Sequence, residues 1–393
     1  MEAQNRLGPR VIPLTIFLEF LRLGVTAFGG PTMVAYIREM SVGKKRWLSD
    51  ASFQSGAALC QSIPGATAMQ TAAYVGLRAG GTWGALAAYV GFGLPASVLM
   101  AVLSAVYRST RELAPAASAF RGLQVVVIAL MANATLNFGR GAIKNWRDAL
   151  PAVGAAMFLG FRGSPMIAIA AAAALGLFLY VGVQENVVAE PADGNSGAAR
   201  TSHFAAAVIL LVAAGLAAAF FLDRLLFSLT AVMLKVDVFA FGGGFASVPL
   251  MMHEVVDVRR WLDSRVFMDG IALGQVTPGP IVITATFVGY QVSGIAGAVA
   301  ATLGIFGPSF LMVLVTVPYF DRLRRWRFFR QALRGILASF VGLLLAVTVR
   351  FGMALPWSAA SVGLATAAFA ALRLKLDVVW VVLGGAALSV FLL

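Results

Sequence analysis

Charge is scarce in this chain, at 12% of 393 residues against 60% hydrophobic, and several functions are excluded by what is missing. The single cysteine, Cys60, leaves no disulfide framework. The two histidines, His203 and His253, are too far apart in sequence for a dedicated metal site, and none is expected. The apolar segments lack the clustered acids of a Mg²⁺ site and any His–Ser pair, so the chain does not read as an enzyme acting on membrane substrates. No Gly-x-x-x-x-Gly-Lys-Ser/Thr loop is present, so ATP does not drive it directly. No cofactor is expected.

What remains is hydrocarbon. Mean hydropathy is +0.86. Uncharged stretches such as Thr82 to Tyr107, Gly163 to Gln184, Phe204 to Leu222 and Phe351 to Leu372 match or approach the ~20 residues a bilayer-spanning helix needs. The net charge of +13 sits in short loops between these stretches, not in a patch for nucleic acid. Met1 to Pro13 carries Arg6 and Arg10 without a cleavage site and reads as a cytoplasmic tail.

The chain repeats itself. Phe28-Gly29-Gly30 recurs as Phe241-Gly242-Gly243 at an offset of 213. Arg46-Trp47-Leu48 recurs as Arg260-Trp261-Leu262, and Gln61, Pro64 and Gly65 as Gln275, Pro278 and Gly279, at 214. The offset returns to 213 for Pro95/Pro308 and Phe138-Gly139/Phe351-Gly352. This register marks a duplication. Residues 1–183 form one transporter repeat and 225–393 the other, and 184–224 hold a polar linker and an unpaired transmembrane helix. The expected fold is an all-α polytopic membrane protein: two homologous, inverted repeats of about six helical segments each, with broken helices.

If every segment crosses, there are 13 crossings, and Lys and Arg divide 18 inside to 10 outside. Treating the two Pro-Gly segments as re-entrant divides them 15 to 13. The positive-inside rule favours full crossing, with a cytoplasmic N-terminus and a periplasmic C-terminus.

Two kinds of break carry the chemistry. Pro-Gly within a span removes an amide donor and cannot continue a regular helix, which frees carbonyls before it and N–H groups after it. The half-helix that follows points bare amides and a positive dipole end at the break, a site suited to an oxyanion. Gln61, Ser62, Pro64, Gly65 and Thr67 line this break in the first half, and Gln275, Thr277, Pro278 and Gly279 in the second, with Thr284 nearby. A simple proline kink is the plainer reading. The second kind is Gly29-Gly30 and Gly242-Gly243, which either permit close packing or open the backbone to a ligand. One to two turns upstream stand the aligned cations Arg22 and Lys235, expected to face the anion. Glu19 and Asp237 are the candidates for carrying a proton. Snorkelling, or pairing with Glu19, is the bland alternative for Arg22. The Arg-Trp-Leu motifs read as interface anchors, and the arginines from Arg322 to Arg330 as a topology signal touching anionic lipid.

At Phe28-Gly29-Gly30-Pro31, Arg46-Trp47-Leu48, Gln61 to Gly65, Phe241 to Gly244 and Gly274 to Pro280, the chain resembles the chromate ion transporter family in its long, two-domain form. The resemblance covers essentially the whole length. It implies efflux of chromate across the bacterial inner membrane, driven by the proton gradient and conferring resistance, with sulfate as competitor. Two positions depart from the family pattern: Ala66 stands where a second Pro is usual, and Thr32-Met33-Val34 replaces the polar residue usual after Gly-Gly-Pro. Another inorganic anion such as sulfate or molybdate is the alternative substrate, with an enzyme or channel as the more distant readings. The sequence leaves homodimerisation open.

Overall fold

A computed structural model describes residues 11–28, 32–181, 198–319 and 326–392, excluding the side chains of 198–203, 211 and 218, and among them every regular element is helical. The first repeat holds α1 (Pro13–Thr26), α2 (Thr32–Arg38, running on as a π-turn over Glu39–Lys44), α3 (Asp50–Ser62) and α4 (Thr67–Thr110). It continues with α5 (Ala114–Ala142), α6 (Trp146–Gly160) and α7 (Pro165–Leu179). A peripheral helix, α8 (Ala198–Leu222), leads to the second repeat. There α9 (Arg224–Phe239), α10 (Ser247–Met252, with a π-turn over His253–Val258), α11 (Ser264–Val276) and α12 (Thr284–Thr316) correspond to α1–α4. The series α13 (Arg327–Ala354), α14 (Ala359–Arg373) and α15 (Val378–Leu392) corresponds to α5–α7. The match extends to strained backbone: Arg46 and Arg260 share a φ of +52°, and Gly81 and Gly294 kink α4 and α12 at equivalent places.

The Pro-Gly segments do not cross, which corrects the 13-crossing expectation. The ring of Tyr74 lies against Gly56, so close that a Cβ there would be 2.1 Å from it, and Phe287 lies against Gly270 in the same way, at 2.4 Å. A continuous helix would hold residues 56 and 74 about 27 Å apart. The chain therefore reverses at each Pro-Gly break into a re-entrant helical hairpin. Gly65 at φ +117° and Gly279 at φ +112° supply the reversal, in a region closed to most side chains. The Gly-Gly segments also turn back, since Lys45 reaches Glu19 at 2.5 Å across the break between α1 and α2. The kinks in α4 and α12 are sharper still. Beyond Gly81, Gly84 returns to touch Gly76, and beyond Gly294, Gly297 returns to touch Gly289, backbone against backbone. Each repeat thus holds two re-entrant hairpins, one long crossing from the second arm of α4 or α12, and a long helix, α5 or α13.

The halves interlock and run in opposite senses. Helix α5 packs on α14 and α15 of the other repeat, and α13 packs on α6 and α7. The equivalent helices α5 and α13 meet at equivalent residues, Thr135 and Thr348, whose hydroxyls are 3.5 Å apart. Gly139 faces Val341, so the two helices run antiparallel. Equivalent helices meeting antiparallel at equivalent residues make an inverted repeat. Glycines close these seams: a Cβ at Gly342 would stand 1.8 Å from the Ala152 carbonyl, and one at Gly335 2.1 Å from that of Ala172. Such backbone approach is how helices associate where lipid offers no hydrophobic drive.

The hairpin topology is directly testable. In a Cys60→Ala background, Lys44→Cys and Thr82→Cys are predicted to react with an impermeant maleimide from the same face of the membrane. Labelling from opposite faces would restore the full crossing.

Candidate functional site

The two Pro-Gly breaks, the Gly242-Gly243 break and the end of α1 meet at one place. Helix α1 ends at Thr26 and leaves the Ala27 carbonyl without an intrahelical donor. The amide of Gly279, freed by the opposite repeat's Pro-Gly break, donates to it at 3.1 Å. The mirror-related bond runs from the Gly65 amide to the Ala240 carbonyl at 2.8 Å. Each repeat thus satisfies the broken backbone of the other. A carbonyl left unpaired in hydrocarbon costs several kcal/mol by order of magnitude, which is enough to hold the breaks in register. Gly243 faces Thr67 and Gly244 faces Ile281, so the Gly-Gly and Pro-Gly breaks also touch. Gly242 at φ +91° and Gly243 at φ +98° both need glycine for their backbone, and Phe138 fills the space over Gly242.

Several predicted residues surround this point. The Pro64 carbonyl accepts from Gln70 Nε2 at 2.5 Å. Pro278 and Thr277 are buried, and the Thr277 hydroxyl donates to the Gly274 carbonyl. Thr67 is half-buried. Gln275 keeps its Nε2 buried without a hydrogen-bond partner, a donor aimed at nothing in the protein. Gln61 is exposed, and the Ser62 hydroxyl is spent on the Ala58 carbonyl. Gly29 and Gly30 lie outside the described residues.

The cations are not where the sequence suggested. Arg22 is on the exposed face of α1. Lys235 points outward, with its side chain 47% exposed and its ammonium 2.6 Å from Glu254. Glu19 is paired with Lys45. The ionisable group that points inward is Asp237, fully buried. Both its oxygens lie within 2.9 Å of Ser309 Oγ, which donates to the carboxylate and accepts from the Ala66 amide at 3.0 Å. This relay ties α9 and α12 of one repeat to the Pro-Gly break of the other. It exists once: the equivalents of Asp237 and Ser309 are Gly24 and Ala96. The sequence held the signal, because both members of the pair change together between the repeats.

Gln70 and Ser309 join the site unannounced by any motif, and another buried acid, Asp269, lies on α11. Tyr107 Oη and Gln124 Nε2 each donate to it at 2.8 Å.

A family model described as chromate transporter matches the chain twice, over residues 14–177 and 227–390, the spans of α1–α7 and α9–α15. The chain belongs to the chromate transporter family. An uncharacterized transporter of Methanocaldococcus jannaschii is 42% identical to it over 372 residues, covering 94% of this chain and 92% of its own. The chromate transport protein of Pseudomonas aeruginosa is 31% identical over 364 residues, covering 85% of this chain and 80% of its own. That of Cupriavidus metallidurans is 31% identical over 332, covering 83% and 79%. No solved structure matches. The family's two matched units are therefore the two interlocked, inverted repeats, and the breaks lie inside both.

Gly65 is the most constrained position of this family member's site. A Cβ there would be 2.1 Å from Ser309 Oγ, on a backbone that disfavours any side chain. Gly65→Ala is predicted to cost about 1–2 kcal/mol in backbone strain alone, read as a lower thermal midpoint in detergent. An unchanged midpoint would show that the break is not held as described.

Proposed function

We propose that this protein is a secondary transporter that exports chromate from the cytoplasm, coupled to the proton gradient, with sulfate competing as an isosteric dianion. The observation that carries this reading is the convergence of two Pro-Gly breaks, one from each inverted repeat, on one buried locus. Each break is followed by a half-helix or helical turn whose first amides have no intrahelical acceptor, and Gln275 adds an unpaired donor. Amides and helix ends replace the hydration shell of an oxyanion without a buried cation. The relatives named as chromate transport proteins support chromate as the anion. Asp237 is the candidate proton carrier, and the outward-paired Glu19 is the weaker one.

Alternating access follows from the inversion. Hairpins α1–α2 and α3–α4 open toward one face, and α9–α10 and α11–α12 toward the other. Rocking of the repeats about the α5–α13 crossing would expose the locus to each face in turn. Orientation follows from charge. Taking α6, α7, α14 and α15 as crossings, described loops on the face of the first repeat's hairpins hold 14 Lys and Arg, and those opposite hold nine. The first face is therefore assigned to the cytoplasm, with the protein in the bacterial inner membrane. Over the same described loops full crossing gives 13 to 10, so the hairpin arrangement separates the charges by the wider ratio.

Everted vesicles test this reading. The wild type is predicted to take up chromate, with inhibition by sulfate. Gln275→Leu should weaken chromate affinity about tenfold, the worth of one hydrogen bond to a charged group. Arg22→Ala should stay within about twofold of the wild type. Absence of chromate uptake by the wild type would overturn the proposal, and loss of uptake in Arg22→Ala alone would return the site to the cations.

A further inference from the structure

We infer that Asp269 is a proton-binding site that latches the outward face, closed when ionised and released when it takes up a proton. The inference rests on the alternating-access reading above. Asp269 is 4% exposed on α11, the outer arm of the second repeat's Pro-Gly hairpin. Its two carboxylate oxygens take one donor each from the first repeat: Tyr107 near the end of α4 binds Oδ2, and Gln124 on α5 binds Oδ1. The cluster therefore pins a hairpin arm of one repeat to the scaffold helices of the other. It does so near the start of α11, nine residues before Pro278.

Protonation changes this arithmetic. An ionised carboxylate accepts both bonds with the strength its charge lends, whereas a protonated one must donate its O–H to Tyr107 instead of accepting from it, and both bonds become neutral and about half as strong. The ionised form is thus the closed latch, and a proton arriving from that face weakens it. Few other charges compete. Arg111 beside Tyr107 and Asp263 at the start of α11 are the charged groups within electrostatic reach. Arg121 on α5 bonds Ser118. From α12 the facing group is Phe287, packed on Tyr107, with Tyr290 one turn on. The described helices α12 and α15 contain no charged residue. From α13, Arg350 is held by Asp257 in a bidentate pair.

The latch is also one-sided. Its counterparts in the other repeat are Ser55 for Asp269 and Leu337 for Gln124, neither of which can ionise. A proton-sensitive contact with no ionisable equivalent at the matched positions gives an otherwise two-fold molecule a direction.

The test is accessibility, read without chromate. In a Cys60→Ala background, Val276→Cys lies beneath the latch. Its alkylation from the α11 face, normalised to Arg265→Cys at the exposed mouth, is predicted to rise severalfold as pH falls. Adding Asp269→Asn, which mimics the protonated acid, should give the fast rate at every pH. Tyr107→Phe removes one donor to the ionised form and should move the midpoint up by about one pH unit. A pH profile unchanged by both substitutions would overturn the latch. Should Asp269→Asn fail to fold, the Tyr107→Phe shift decides alone. Chromate counterflow in the same proteoliposomes reports on the transport reading separately, so the two can fail independently.

Discussion

Breaking a helix inside a bilayer strands polar backbone groups where no water can reach them, and the architecture follows from how these groups are satisfied. The Gly65 and Gly279 amides are freed by prolines, and the Ala27 and Ala240 carbonyls by helix ends. Neither repeat can pair its own, because the acceptor in each bond belongs to the other half. The crosswise exchange makes the two repeats one unit and brings both Pro-Gly breaks to the ends of α1 and α9. A proline kink in a single helix would need none of this.

The same exchange explains why a symmetric scaffold carries an asymmetric site. The backbone bonds obey the pseudo-two-fold, whereas the side chains around them do not. Asp237, Ser309 and Asp269 all lie in the second repeat, opposite Gly24, Ala96 and Ser55. Duplication provides two equivalent ways in. Asp237 and Asp269, with no ionisable residue at the matched positions of the first repeat, distinguish them.

Much of this was legible in the residues. The duplication and the places where helices break follow from paired Gly and Pro positions, whose backbone consequences are local, and the inversion from the unpaired span between the halves. The reversal at Pro-Gly was not legible, since a hairpin and a crossing have the same hydropathy and only the contact of Gly56 with Tyr74 separates them. The inward group on α9 could have been read correctly. Leu229, Val232, Met233 and Val236 form a helical stripe that continues through Asp237 and turns Lys235 outward, and Ile16, Phe20 and Gly24 place Arg22 outside in the same way. The Asp269 cluster joins three helices from two repeats, and no local pattern announces such a meeting.

The most direct measurement is a structure of the protein with chromate bound, in which the anomalous signal of chromium locates the anion. The account places that peak within hydrogen-bonding reach of the amides that follow Pro64-Gly65 and Pro278-Gly279, beside Gln275. A peak seated instead between Arg22 and Lys235 at the protein surface, or continuous helix through either Pro-Gly pair, would contradict it.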